Sequence, residues 1–204
     1  MANSVFSTPL ITPILRGIAN GWLKILGWEV KASGLPQPPY VFIGAPHTSN
    51  WDFLLLIAGV LNQGMDIHWM GKHALFPPVL GAVMRWMGGI PVNRAKAHNM
   101  VSRMAALLKE NPDTILCIPP EGTRSKVTQW KTGFYHIAQQ ADVPILMAAI
   151  DAENKQLIFL GEFKPSGDIE KDLPEIQDYY RGMKGIRPEN FAGAEESDNQ
   201  SEEK

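Results

Sequence analysis

Apolar positions in this chain switch between helical and strand-like spacing, and the switches mark out its elements. Across residues 13–28, Ile14, Leu15, Ile18, Trp22, Ile25 and Leu26 form one stripe, while Arg16, Asn20 and Lys24 fall four apart on another face. That spacing predicts an amphipathic helix with Pro13 in its first turn. Residues 28–32 and 40–43 are short apolar runs separated by a Gly-Leu-Pro-Gln-Pro-Pro turn, and read as strands. Ser49 opens a second helical pattern, Phe53, Leu54, Ile57 and Val60, which ends near Gly64. Residues 67–70, 90–94, 114–118, 143–150 and 156–163 read as further strands; 97–109, 134–140 and 169–180 read as helices. The stretch 75–87 has helical length, is apolar on nearly all sides and carries only Arg85 as a charge, while Pro77-Pro78 restricts where it can begin. Such a segment is core, a greasy groove or a lipid contact, and core is the commonest of the three.

Strands alternating with helices predict a layered α/β fold. The pattern divides into an N-terminal amphipathic helix (1–28), one domain (29–187) and a tail (188–204) that is acidic, poor in large apolar groups and expected to be disordered. By its cations the 1–28 helix could lie in a membrane interface; by base rate it packs on the domain's own core.

Charge changes this picture only locally. The net charge of −2 gives no reason to expect nucleic acid. Residues 195–204 hold five acids and one lysine, whereas 71–131 hold nine Lys or Arg against three acids. The middle of the chain therefore suits an anionic ligand. The single cysteine, Cys117, lies in an apolar run, which excludes an intramolecular disulfide and reads as packing. The start lacks the basic end of a signal peptide, and no run of about 18 uncharged apolar residues predicts a spanning helix. No metal-site spacing is present. A Gly-x-Ser-x-Gly elbow, a phosphate loop and a Gly-x-Gly-x-x-Gly fingerprint are all missing, which removes serine hydrolases and dinucleotide binding.

Three strand ends carry the chemistry. His47 stands at the corner after the strand at 40–43, with Asp52 five residues on. On one helix those side chains would point about 140° apart, but across a corner Asp52 can fold back, fix the imidazole tautomer and raise its basicity. Ser49 and Asp52 also have capping-box spacing. The pair alone leaves both readings open, a loop histidine beside a helix cap or a base with its partner. Where Asp52 is that partner, Ser49 is left to cap the helix alone. Arg94 follows a second strand and Glu121-Gly122-Thr123-Arg124-Ser125 a third. Ligands in open α/β sheets bind at the carboxyl ends of strands, and arginine matches phosphate bidentately.

These residues resemble the glycerolipid acyltransferases, the HxxxxD family typified by 1-acylglycerol-3-phosphate acyltransferase. His47-Thr-Ser-Asn-Trp-Asp52 matches its first motif, Gly89-Ile-Pro-Val-Asn-Arg94 its second and Pro119-Pro-Glu-Gly-Thr-Arg-Ser125 its third. Val143-Pro144-Ile145 is similar to a weak fourth, and Lys131-Thr-Gly133 to the helix start that follows the third. Lys72 corresponds to a lysine between the first two. Pro46 stands where the family often has Asn, and Pro119 where it has Phe; neither change removes a functional group. The likeness covers about residues 28–165.

The resemblance implies an α/β/α fold around a mixed, largely parallel sheet, and an enzyme that moves an acyl group from acyl-CoA or acyl carrier protein to a lysophospholipid hydroxyl, most simply that of 1-acylglycerol-3-phosphate. His47 would be the base and Asp52 its partner. Arg94, Glu121, Gly122, Thr123 and Arg124 would hold the acceptor, with Glu121 on Arg124 or on a glycerol hydroxyl. Lys72 and Lys131 would support the oxyanion. Residues 75–87 would line part of an acyl groove. No cofactor or metal is implied beyond the thioester co-substrate. A lipid substrate also turns the 1–28 helix toward a membrane surface, and implies a cytoplasmic protein peripheral on the inner face of the membrane. Acylation of another lysolipid or glycolipid hydroxyl, thioester hydrolysis, and a non-catalytic lipid-binding module on the same fold are the alternatives.

Overall fold

The computed structural model describes residues 4–32, 34–92 and 99–191. In chain order the helices are α1 (Ile11–Leu26), α2 (Asn50–Gln63), α3 (Leu80–Trp86), α4 (Met100–Glu110), α5 (Gly133–Ala141) and α6 (Ile169–Asp178). The strands are β1 (Glu29–Ala32), β2 (Tyr40–Ala45), β3 (Ile67–Lys72), β4 (Gly89–Val92), β5 (Ile115–Cys117), β6 (Ile145–Asp151) and β7 (Gln156–Phe163). They form one sheet in the order β1-β7-β6-β2-β5-β3-β4. Among these pairs only β6 against β7 is antiparallel. This is the mixed, largely parallel α/β sheet expected.

β2 is central because both of its faces are covered. Val41, Phe42 and Ile43 are fully buried, as expected of a continuous apolar run in a parallel sheet. Ile43 and Val41 pack with α4, α5 and α6 on one side, and Tyr40 and Phe42 with α1 and α2 on the other. Truncating Phe42 to Ala should cost about 3–5 kcal/mol. Because β2, β5 and β3 are adjacent and parallel, the loops that leave their carboxyl ends share one edge of the sheet.

Two elements differ from the sequence expectation. The stretch 75–87 is not one helix: a 3₁₀ turn, His73–Leu75, precedes the short α3, and Pro77-Pro78 lies between them. Proline lacks the N–H that a continuous helix would need there. Nor is this stretch core, since Leu75, Val79, Leu80, Val83 and Trp86 are exposed and only Phe76 and Gly81 are buried. The second difference is the orientation of α1. Leu15 and Trp22 of the expected stripe pack on the core, but two of the polar positions, though exposed, reach across to α2: Arg16 Nε donates to the Leu61 carbonyl at 2.7 Å, and Asn20 Oδ1 accepts from Asn62 Nδ2 at 2.9 Å. Ala19 and Leu23 are buried, while Ile11, Ile14, Ile18 and Ile25 point to solvent. No helix among the described residues is long and apolar enough to cross a membrane. Residues 188–190 form a 3₁₀ turn, and most of the tail, 192–204, lies outside the described residues.

Candidate active site

His47 sits in the three-residue connection between β2 and the N-cap of α2, just after a cis Ala45-Pro46 peptide. Its corner is fixed by hydrogen bonds to the main chain on both sides. Asp52 Oδ2 accepts from the Thr48 amide and, at 2.6 Å, from the Ser49 amide. Ser49 Oγ in turn accepts from Trp51 N at 3.0 Å, completing a reciprocal capping box. The same Oδ2 lies 3.9 Å from His47 Nδ1. Asp52 is therefore cap and partner at once. The alternative in which Ser49 caps alone does not hold, because one carboxylate oxygen reaches the backbone and the ring together.

Turning Nδ1 toward Asp52 leaves Nε2 as the ring nitrogen available to a substrate. Burial lowers the His47 pKa, with Asp52 opposing and Arg124 acting in the same direction as burial, which favours the uncharged ring, the form that can accept a proton. Burial raises the Asp52 pKa, against the pull of the Ser49 and Thr48 hydrogen bonds and of His47. At 3.9 Å the pair is longer than a hydrogen bond; such contacts often shorten only when a substrate is bound.

Glu121 occupies a place the sequence did not indicate. Its carboxyl is 2 % exposed, and Oε2 accepts from the His47 amide at 2.9 Å. It stands behind the histidine and not on Arg124 or on the ligand-facing wall. Burial pushes its pKa up to about 7, with the nearby Asp52 charge acting the same way and the His47 hydrogen bond opposing.

The ligand-facing wall encloses a cavity of about 1000 Å³. His47, Asp52, Lys72, Gly122, Thr123, Arg124 and Lys131 line its polar end. From there it runs beneath α2 across the sheet, where Gly44, Gly59 and Ala148 leave room and Leu56, Leu157 and Phe159 form apolar walls. Of the 75–87 stretch only Leu75 lines it, so the groove is built by α2 and the sheet, not by α3. Gly122 has φ +65°, and a Cβ there would lie 2.8 Å from the Lys131 side chain. Glycine thus lets the lysine stem fold over the loop. Lys72, Arg124 and Lys131 are exposed and form no salt bridge among the described residues. Arg94 lies outside the described residues.

A family model described as Acyltransferase matches residues 29–151. The chain belongs to the acyltransferase family. Within it, the 1-acyl-sn-glycerol-3-phosphate acyltransferase of Haemophilus influenzae is 28% identical over 124 residues, which are 57% of this chain and 50% of that one. Its counterpart in Saccharomyces cerevisiae is 29% identical over 136 residues, covering 62% of this chain and 44% of that one. The chain thus spans about half the length of the curated relatives it matches. The crystal structure of the 1-acyl-sn-glycerophosphate (LPA) acyltransferase PlsC from Thermotoga maritima superposes with a TM-score of 0.60 over 82% of this chain and 76% of that one. At 20% identity that likeness speaks for the fold.

In this acyltransferase-family chain the matched segment supplies His47, Asp52, Glu121 and the rim cations, but not everything that touches the corner. Thr48 is 2 % exposed and is held from outside the segment: Arg187 N donates to its Oγ1 at 3.1 Å, and Asn190 Nδ2 to its carbonyl at 3.3 Å. Nothing in the spacing of these residues announces a contact across more than a hundred positions.

Proposed function

We propose that the protein transfers a fatty acyl group from a thioester donor, acyl-CoA or acyl carrier protein, to the free hydroxyl of 1-acylglycerol-3-phosphate, giving phosphatidic acid. One observation carries this reading. An imidazole backed by a carboxylate stands where a long apolar cavity meets a rim of exposed cations. The apolar part suits an acyl chain and the rim suits a phosphate.

His47 Nε2 takes the proton of the acceptor hydroxyl as its oxygen attacks the thioester carbonyl, and Asp52 stabilises the imidazolium. Lys72 or Lys131 faces the oxyanion. Collapse breaks the carbon–sulfur bond, and the leaving thiolate takes the proton back from His47. The products are an ester and a thiol. Transfer is direct in this reading, since the step calls on no protein nucleophile; burial, which pushes the Cys117 thiol up to about 12, is in keeping with a packing role for that residue. Arg124 and Thr123 hold the acceptor phosphate, with Arg94 assigned there by motif alone.

A membrane surface is the second partner. The outward isoleucines of α1, together with Trp51, Leu54 and Leu80, are exposed apolar groups of the kind that enter a lipid interface. This reading places the protein as a peripheral component of the inner membrane face. Deleting α1 would also remove the buried Ala19 and Leu23, so Ile14→Gln/Ile18→Gln is the cleaner variant. It should reduce sedimentation with anionic liposomes while leaving Tm within a few degrees; unchanged sedimentation counts against the interface.

The function is tested with labelled acyl-CoA and acyl carrier protein against a panel of lysolipid and glycolipid acceptors. Labelled phosphatidic acid supports the reading. Another acylated product reassigns the acceptor, free fatty acid alone indicates hydrolysis, and lipid binding without turnover indicates a non-catalytic module.

A further inference from the structure

We infer that Thr48 is a positioning residue, through whose hydroxyl the C-terminal segment 185–190 fixes Asp52 beside His47. The inference rests on the proposed transfer reaction for its kinetic readout, but the geometry stands without it. Thr48 Oγ1 accepts from Arg187 N at 3.1 Å and lies 3.4 Å from Asp52 Oδ2, the oxygen that faces His47 Nδ1. The Arg187 amide donates to one lone pair of the hydroxyl, whose single proton is left to donate to Asp52 Oδ2. The Thr48 carbonyl is held as well, by Asn190. Gly185 closes the contact: a Cβ there would lie 2.7 Å from Thr48 Oγ1 and 2.8 Å from its Cγ2, so only glycine lets the segment approach this near.

The corner is therefore held from three directions. Glu121 holds the His47 amide, Asp52 holds the amides of Thr48 and Ser49, and the C-terminal segment holds the Thr48 hydroxyl and carbonyl. The third hold comes from residues beyond the family segment 29–151. It is supplied by the part of the chain that follows the matched segment. Tyr180 extends it inward, with its hydroxyl 3.4 Å from the Ile43 carbonyl and its ring edge-on to Trp130. The ionisable groups that face Asp52 are His47 on the same loop and Glu121 from the loop after β5, and Arg124 of that loop faces His47.

The test compares Thr48→Val, Thr48→Ser and Asn190→Ala in the full chain. Valine keeps the size and removes the hydroxyl; serine keeps the hydroxyl. Thr48→Val should lower kcat about tenfold, as for one lost hydrogen bond to a charged group, with both KM values little changed. Without the Thr48 donor the Asp52 carboxylate holds its proton to higher pH, so the acidic limb of the rate profile should move upward. Thr48→Ser should restore both, and Asn190→Ala should lower kcat about threefold. An NMR titration of His47 reads the same coupling without substrate, and should shift in Thr48→Val. A shifted titration in a protein that transfers no acyl group would uphold the positioning role and sink the proposed reaction. An active wild type whose Thr48→Val variant keeps its kcat and its acidic limb would overturn the inference, as would Thr48→Ser impaired as much as Thr48→Val. If Thr48→Val does not fold, Asn190→Ala decides, and wild-type kcat there overturns it.

Discussion

The two sides of His47 are built by opposite rules. On its buried side stand two carboxyl groups, Asp52 at the cavity's inner edge and Glu121 behind the ring, 1 % and 2 % exposed, each tied to main-chain amides. In front stand Lys72, Arg124 and Lys131, exposed and unpaired among the described residues. The buried side is organised before any ligand arrives, at the cost of desolvating two acids. The exposed side leaves its cations in water. In the proposed reaction the first arrangement would serve the rate of a chemical step and the second binding.

The sharpest way to break this comparison lies at the group between the two sides. His47→Ala should lower kcat by about 10²–10⁴-fold, the range for a general base, in the phosphatidic-acid assay; near-normal turnover would end the mechanism. Asp52→Asn comes next. It keeps an acceptor for the capping amides but removes the charge beside the ring, so kcat should fall by about 10²-fold while Tm falls only a little. A large Tm loss with normal kcat in the folded fraction would make Asp52 a cap alone.

Glu121→Gln probes stability on the same side. The Glu121 pKa of about 7 in the fold exceeds its ordinary 4.5, so the folded state binds this proton more tightly. The stability it contributes is complete below the ordinary value and is lost as pH rises through about 7. Wild type should therefore lose up to about 3 kcal/mol relative to Glu121→Gln between pH 5 and pH 8, measured by denaturant unfolding; parallel curves would refute it. The smallest effect belongs to the exposed side. Arg124→Ala should raise the acceptor KM about tenfold, with donor KM and kcat held, and shift stability by no more than about 0.5 kcal/mol. A donor-specific effect would move Arg124 from the phosphate to the thioester.

Much of the front of this site was legible in the sequence, because its motifs sit at strand ends and strand ends converge. Gln156–Phe163 agrees residue for residue with its apolar run. What sequence could not show was direction. Glu121 and Arg124 share one motif, yet one points back to a buried amide and the other out to the cavity. Arg16 and Asn20 have the spacing of a solvated face but meet α2: the cation finds a carbonyl near the C-terminal end of that helix, and the amide finds the Asn62 side chain. The 75–87 stretch showed apolarity without its address, since an exposed apolar surface has the same composition as a core. Thr48 was silent, because its partners arrive from the far end of the chain.

Arg16's grip on the Leu61 carbonyl has a mechanical consequence. α2 adjoins the His47 corner at its first turn and is clasped by α1 near its last. Its 14 residues make a strut about 21 Å long. The α1 clasp and the His47 corner thus sit at opposite ends of one helix, and their relative orientation is counted in helix residues: adding one would turn the clasped end by about 100° relative to the corner.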